Sequence, residues 1–105
     1  MSAPIYKNFE QLLKKLHKIR NSGTYMHFIN SISNKVIYSI IEIAYNILKG
    51  DIPINKRHLM KLKTNKQNLK LLINKRVSMK VKRNIIKNNS KFVRNILDVV
   101  FSFEK

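Results

Sequence analysis

The sequence predicts an all-α protein, a single compact domain of about five to six short helices around one central apolar helix at residues 34–49. Apolar residues recur at the three- and four-residue spacing of amphipathic helices along most of the chain. The 105 residues include only two Gly and two Pro, too few for a turn-rich β protein. An apolar fraction of 44 % is sufficient for a core, and the length suits one domain.

The first third of the chain predicts two helices. Residues 8–20 carry apolar side chains at helical spacing, and Asn8 can cap this helix. Gly23 can take a positive φ and end it, and Thr24 can cap a second, short helix through Ile32. The first helix is expected to place Lys14, Lys15 and Lys18 on the side opposite its apolar residues.

The central helix is predicted from residues 36–48, which are apolar on nearly all sides, as in a helix that others surround. A strand is the competing interpretation because β-branched residues are abundant. However, about 15 residues that end at Gly50, with Pro53 beyond, are typical of a helix. If Ser33 does not interrupt the chain, residues 25–48 form one long helix, and a histone-like topology becomes the alternative.

Four more helices are predicted in the second half. Their caps would be Asn55 for residues 56–63, Thr64 or Asn65 for the next, Ser78 for the third and Ser90 for the last. Leu59 and Leu62 are expected to face inward. The third helix is expected to bury Met79, Val81, Ile85 and Ile86 and to present Lys80, Arg83 and Lys87 on its opposite face. The tyrosines and phenylalanines are expected mainly in the core.

The charge distribution is the strongest functional signal. The formal net charge is +17, and the N-terminal half (residues 1–51) is less basic than residues 52–97. Residues 53–97 contain fourteen Lys or Arg and no Asp or Glu. Positive charges at this density repel one another. A polyanion offsets the repulsion, because each phosphate that is neutralised releases a counterion. The phosphate contacts are expected from Lys63, Lys66, Lys70, Lys75, Arg76, Lys80, Lys82, Arg83 and Lys87.

Catalysis is not expected. The five acidic residues are scattered, the three histidines have no acidic partner nearby in sequence, and cysteine is absent. No phosphate-binding loop, dinucleotide-binding glycine motif or nucleophile elbow occurs. We therefore expect neither an enzyme nor a cofactor or metal site. Glu42, an acid in the apolar helix, is expected to pair with an interior-facing Lys or Arg, or with Tyr38 or Tyr45.

Three sequence elements, in this order along the chain, resemble a known family. The string Asn46-Ile47-Leu48-Lys49-Gly50-Asp51-Ile52-Pro53-Ile54 is similar to an N-x-L-K-G-N-x-P-L element. The strings Lys66-Gln67-Asn68-Leu69-Lys70-Leu71-Leu72 and Val77-Ser78-Met79-Lys80-Val81-Lys82-Arg83 then match K-x-x-L-x-x-L and V-S-x-K-x-K-[KR]. This order resembles small basic proteins of Maverick/Polinton-type elements and adintovirus-like DNA viruses of animals. The resemblance covers roughly residues 33–88 and implies a virion- or nucleic-acid-associated protein. The glycine-rich apolar tail of those relatives is replaced here by an amphipathic segment.

These observations predict a non-enzymatic, largely sequence-independent nucleic-acid-binding protein, a viral or mobile-element core or packaging protein. Double-stranded DNA is favoured over RNA, and capsid or other virion proteins are further expected partners. The alternative is a basic structural protein of a capsid interior or of a large ribonucleoprotein of the ribosomal type. A third is a membrane-active role for residues 90–103, although their apolar face also suits core packing.

The expected location is the host nucleus and the virion. Residues 80–83 have the K-x-K-R form of a nuclear import signal. Neither a signal peptide nor an apolar run of roughly 18–20 residues occurs, so secretion and membrane insertion are not expected.

Overall fold

A computed structural model describes residues 5–50, 52 and 54–101. Over these residues the chain is all-α and contains no strand, as predicted. A 3-10 helix (Ile5–Phe9) is followed by α1 (Glu10–Lys18), α2 (Ser22–Ser31), α3 (Asn34–Lys49), α4 (Lys56–Lys63), α5 (Lys66–Ile73), α6 (Met79–Asn88) and α7 (Ser90–Phe101). The domain is nearly isometric, with principal extents of 35, 31 and 31 Å. Asp51, Pro53 and the end of the predicted 90–103 segment lie outside the described residues.

Two helices share the centre of the domain. The predicted central helix α3 packs against the 3-10 helix, α5 and α7, whereas α7 packs against α1, α3, α4 and α6. Their inner faces are fully buried through Ile37, Ile40 and Ile43 of α3 and Val93, Ile96 and Leu97 of α7. Each such side chain contributes about 1.5–3 kcal/mol through burial. The apolar face of α7 is therefore part of the core, and none of the described helices is long and apolar enough to cross a membrane.

The helical conformation is interrupted between α2 and α3. Ile32 and Ser33 have extended backbone angles, with ψ of 152° and 163°. Residues 25–48 are therefore not one helix, and the condition for the histone-like alternative is not met. At the other end of α3, Gly50 adopts a left-handed φ of 87°, and its N–H donates to the Ile47 carbonyl at 3.2 Å. The predicted stop at Gly50 is confirmed.

Two of the predicted caps in the basic half are confirmed. The Asn55 side chain accepts a hydrogen bond from the His58 N–H at 2.9 Å, and Ser78 accepts one from the Val81 N–H at 3.3 Å. Ser90 is the first residue of α7 rather than its cap. Asn65 occupies the cap position of α5, but its side chain forms no capping hydrogen bond and instead donates to the Thr64 hydroxyl at 3.2 Å.

The N-terminal boundaries differ from the prediction. Asn8 lies inside the 3-10 helix, so it does not cap α1. Asn21 caps α2 instead of Thr24, because its side chain accepts the Thr24 N–H at 3.0 Å. The cap thus lies three residues earlier, and Gly23 is inside α2 rather than at a helix end.

The second helix is fastened to the basic half by a buried tyrosine. The Tyr25 hydroxyl donates to the Ile86 carbonyl of α6 at 2.5 Å. Burial raises the pKa of the Tyr25 phenol well above its usual range, and the nearby Arg94 charge lowers it by less. The neutral phenol is therefore the form that the folded protein stabilises.

Candidate nucleic-acid interface

The described carboxylates do not neutralise the basic half. Glu10 pairs with Lys14 at 3.4 Å, and Asp98 contacts His17 of α1 at 2.5 Å. Glu42 accepts a hydrogen bond from the Tyr6 N–H at 3.0 Å. None of the fourteen Lys and Arg residues between positions 56 and 94 forms an ion pair with a carboxylate in the described ranges. Their positive charge is thus left for solvent or a ligand to compensate.

Nine of these fourteen cations are exposed. They extend from α4 through α5 and the turn after it to the start of α6, with one at the start of α7. The exposed ones are Lys56, Arg57, Lys63, Lys66, Lys70, Lys75, Arg76, Lys80 and Lys91. Six of the nine residues predicted to contact phosphates are in this exposed set. We call the nine exposed residues the cationic surface.

The turn between α5 and α6 presents two of these residues on a fixed backbone. The Asn74 side chain accepts a hydrogen bond from the Arg76 N–H at 2.9 Å, and the Asn74 carbonyl accepts one from the Val77 N–H at 3.1 Å. Lys75 and Arg76 extend from this hydrogen-bonded turn into solvent. Because the turn is already ordered, less conformational entropy is lost when the two side chains contact a ligand.

The other three predicted phosphate contacts lie in different surroundings. The Arg83 guanidinium donates to the Ile29 carbonyl and to Asn34 Oδ1, both at 2.7 Å, and so joins α6 to α2 and α3. Lys87 is half-buried, and Lys82 is only 7 % exposed. The structure does not bring these three onto the solvent face of α6 with Lys80.

The reason is a rotation of α6 relative to the predicted orientation. Its buried line runs through Lys82 and Ile86, one turn apart, while Val81 is 44 % exposed. The prediction of a buried position is therefore wrong for Val81, whereas Ile86 is buried as expected and Met79 and Ile85 are partly buried against the core. A similar difference occurs in α4, where Leu62 is buried as expected but Leu59 is 37 % exposed.

A groove separates α3 from the α5–α6 turn and the first part of α6. Its volume is about 740 Å³, within the usual size range of ligand sites. It is lined by Tyr38, Ile41, Glu42 and Tyr45 of α3, by Ile73 of α5, by Lys75, Val77 and Ser78 of the turn, and by Met79 and Lys82 of α6. The groove therefore combines aromatic, aliphatic and cationic groups, and it adjoins the cationic surface at Lys75.

Tyr38 and Tyr45 were not expected at this surface. Tyr38 is 56 % exposed and Tyr45 is 48 % exposed, so the prediction that they are core residues is wrong. The signal that could have identified them is Glu42, because positions 38, 42 and 45 share one helix face. An acid in the middle of that face indicates contact with solvent. The Lys49 ammonium lies 5.6 Å from the ring centre of Tyr45 and adds a cation at this end of the groove.

The partner of Glu42 also differs from the prediction. Its carboxylate does not form an ion pair with a described Lys or Arg and does not bond the hydroxyl of Tyr38 or Tyr45. Instead it accepts the Tyr6 N–H, so it holds the 3-10 helix on α3. A free N–H at a helix start needs such a partner, which explains an acid in a mostly apolar helix.

One histidine–carboxylate pair forms between residues far apart in sequence. His17 of α1 contacts Asp98 of α7, and the His17 ring lies 5.8 Å from the Phe101 ring. No described Ser or Thr hydroxyl is hydrogen-bonded to this pair. Within the described ranges, no group of three His, Asp or Glu side chains could hold a metal ion. The pair therefore joins α1 to α7.

The chain matches no known family model, no curated protein sequence and no solved structure.

Proposed function

We propose that this protein is a non-enzymatic, largely sequence-independent nucleic-acid-binding protein whose cationic surface neutralises phosphates. The observation that carries the proposal is the segregation of charge: nine exposed cations in the basic half, with no described carboxylate paired to any of the fourteen. Lysines at this density gain little from one another, whereas each phosphate they contact releases a counterion.

The distribution of side chains supports phosphate contact rather than base reading. The cationic surface consists of flexible Lys and Arg side chains, and contacts of this kind position a protein without specifying sequence. The three sequence elements described above support a packaging role in a mobile element or virus, with double-stranded DNA as the ligand. In that role the host nucleus and the virion are the places where the protein meets its ligand.

The test is the salt dependence of duplex binding. If the six exposed residues of the predicted set each contact one phosphate, log K falls with a slope of about −5.4 against log salt. Affinity then falls by about 2,000-fold between about 50 and 200 mM salt. Fluorescence anisotropy with two duplexes of equal length and different base composition should give similar dissociation constants.

A pair of matched variants tests whether the named surface is responsible. Replacing Lys63, Lys66 and Lys70 with Gln should reduce the slope to about −2.7. Affinity for duplex should then fall by about 40-fold over the same salt interval. The control replaces the exposed Lys7, Lys15 and Lys18 with Gln, the same change in net charge on the 3-10 helix and α1. The control should keep the wild-type slope. A flat salt response, or strong discrimination between the duplexes, would contradict the proposal, and equal effects of both variants would show attraction to net charge alone.

A further inference from the structure

We propose that the groove between α3 and α6 holds an unpaired stretch of nucleic acid, with bases stacked on Tyr38 and Tyr45 and a phosphate at Lys82. The inference rests on the proposed function and adds a second mode to it. The cationic surface contacts the backbone of any strand, whereas the groove accepts only nucleotides whose bases are free.

The two tyrosines have the position that base stacking needs. They are about half exposed although they belong to the most apolar helix of the domain, and both line the same groove. They lie seven positions apart in the helix, which is a rise of about 10.5 Å. Two bases of one extended strand can therefore each meet one ring. Stacking on aromatic side chains is sequence-tolerant because every base has an aromatic face.

The charges in the groove match a polyanion. Lys82 and Lys75 line it, and Lys49 lies against Tyr45 at one end. Glu42 is the acid in the lining, and its carboxylate already accepts the Tyr6 N–H. Lys82 is the most informative of these groups, because a lysine is seldom this buried without a carboxylate partner. A phosphate in the groove would supply the missing negative charge.

The geometry favours unpaired nucleotides over duplex. The bases of a duplex are stacked on one another, so a ring on the protein surface can stack on a base only where pairing is absent or opened. The exposed lysines, by contrast, can contact the phosphates of duplex and single strand alike.

The test compares a thymidylate oligonucleotide of about 12 nucleotides with a duplex of the same length. Replacing Tyr38 and Tyr45 together with Leu keeps apolar side chains but removes the rings. Affinity for the single strand should fall by about five- to 150-fold for each tyrosine, and duplex affinity should stay within about twofold. The matched control replaces both with Phe, which keeps the rings and should keep single-strand affinity.

Two further readouts do not rely on dissociation constants of the tyrosine variants: tyrosine emission at saturating thymidylate and the salt slope of a lysine variant. The chain has no Trp, so its tyrosine emission can be read directly, and thymidylate should quench it in the wild type but not in the Leu variant. Replacing Lys82 with Met should reduce the salt slope for the single strand by about 0.7 and leave the duplex slope unchanged. Circular dichroism checks that each variant keeps its helices.

The outcomes separate the two proposals. Equal losses for duplex and single strand in the Leu variant, or no loss for either, would overturn the inference. So would a wild-type protein that binds duplex but not thymidylate, although the proposed function would then stand. A wild-type protein that binds neither would overturn the proposed function itself.

Discussion

Replacing Lys82 with Met is expected to make the protein more stable. The Lys82 side chain is 7 % exposed and lies on the buried line of α6, one turn before Ile86. It forms no ion pair with any carboxylate in the described ranges. Met has a similar length and no charge, so it can fill the same space without the loss of hydration that the ammonium suffers.

The expected gain in the free energy of unfolding is about 1–2 kcal/mol. Removing a charge from water costs several kcal/mol in proteins, but Lys82 opens onto the groove, where its ammonium keeps part of its hydration. Attraction to Glu42, which lines the same groove beyond ion-pair distance, offsets a further part. For a domain of this size, the gain corresponds to a rise of about 5–15 °C in the midpoint of thermal unfolding.

Urea unfolding followed by circular dichroism measures the difference. Lys80→Met is the control, because Lys80 lies in the same helix but is exposed, and its change should stay within about 0.5 kcal/mol. A Lys82→Met protein less stable than wild type would refute the reasoning, since it would show that protein groups stabilise the ammonium. An unchanged stability would refute it as well, since the ammonium would then be fully hydrated.

Two further predictions concern the contacts that hold α6. Because burial raises the pKa of Tyr25, the neutral phenol stabilises the fold below the unfolded-state pKa of about 10, and stability should fall by about 1.4 kcal/mol per pH unit above it. Tyr25→Phe should show a shallower fall in alkaline urea titrations, and an identical slope would contradict this. Arg83→Gln should lower the free energy of unfolding by about 1.5–3 kcal/mol because it removes the two 2.7 Å hydrogen bonds. Its duplex salt slope should match wild type; a slope reduced by about 0.9 would restore Arg83 to the phosphate contacts.

The fold was accessible from the sequence because its signals are local. Helical spacing, the Asn55 and Ser78 caps and the Gly50 stop all act within a few residues, and each is confirmed. The start of α1 could not be predicted in this way, because it depends on a contact between residues far apart in the sequence. Asn8 has the chemistry of a cap, but the 3-10 helix that contains it is held by Glu42, 34 positions further along.

The groove depends on how helices rotate against each other, which local patterns do not specify. Helical spacing showed that α6 has an apolar face. In the folded domain, however, Val81 is exposed and Lys82 is buried, the reverse of what was expected. Packing against α2, α5 and α7 decides the rotation, and the Tyr25 and Arg83 hydrogen bonds hold it. Tyr38 and Tyr45 are likewise at the surface, although their spacing suits a core position.

The size and net charge of the domain together determine how far many bound copies would neutralise a DNA duplex. Duplex DNA carries one negative charge per about 1.7 Å of axis, so a net charge of +17 balances about 29 Å of duplex. The domain itself is 31–35 Å across. Copies placed side by side along a duplex would therefore cancel nearly all of its charge at about the density at which they touch. Under the proposed function, a fully covered duplex would no longer repel its neighbours, and such filaments could pack closely against one another in a confined volume.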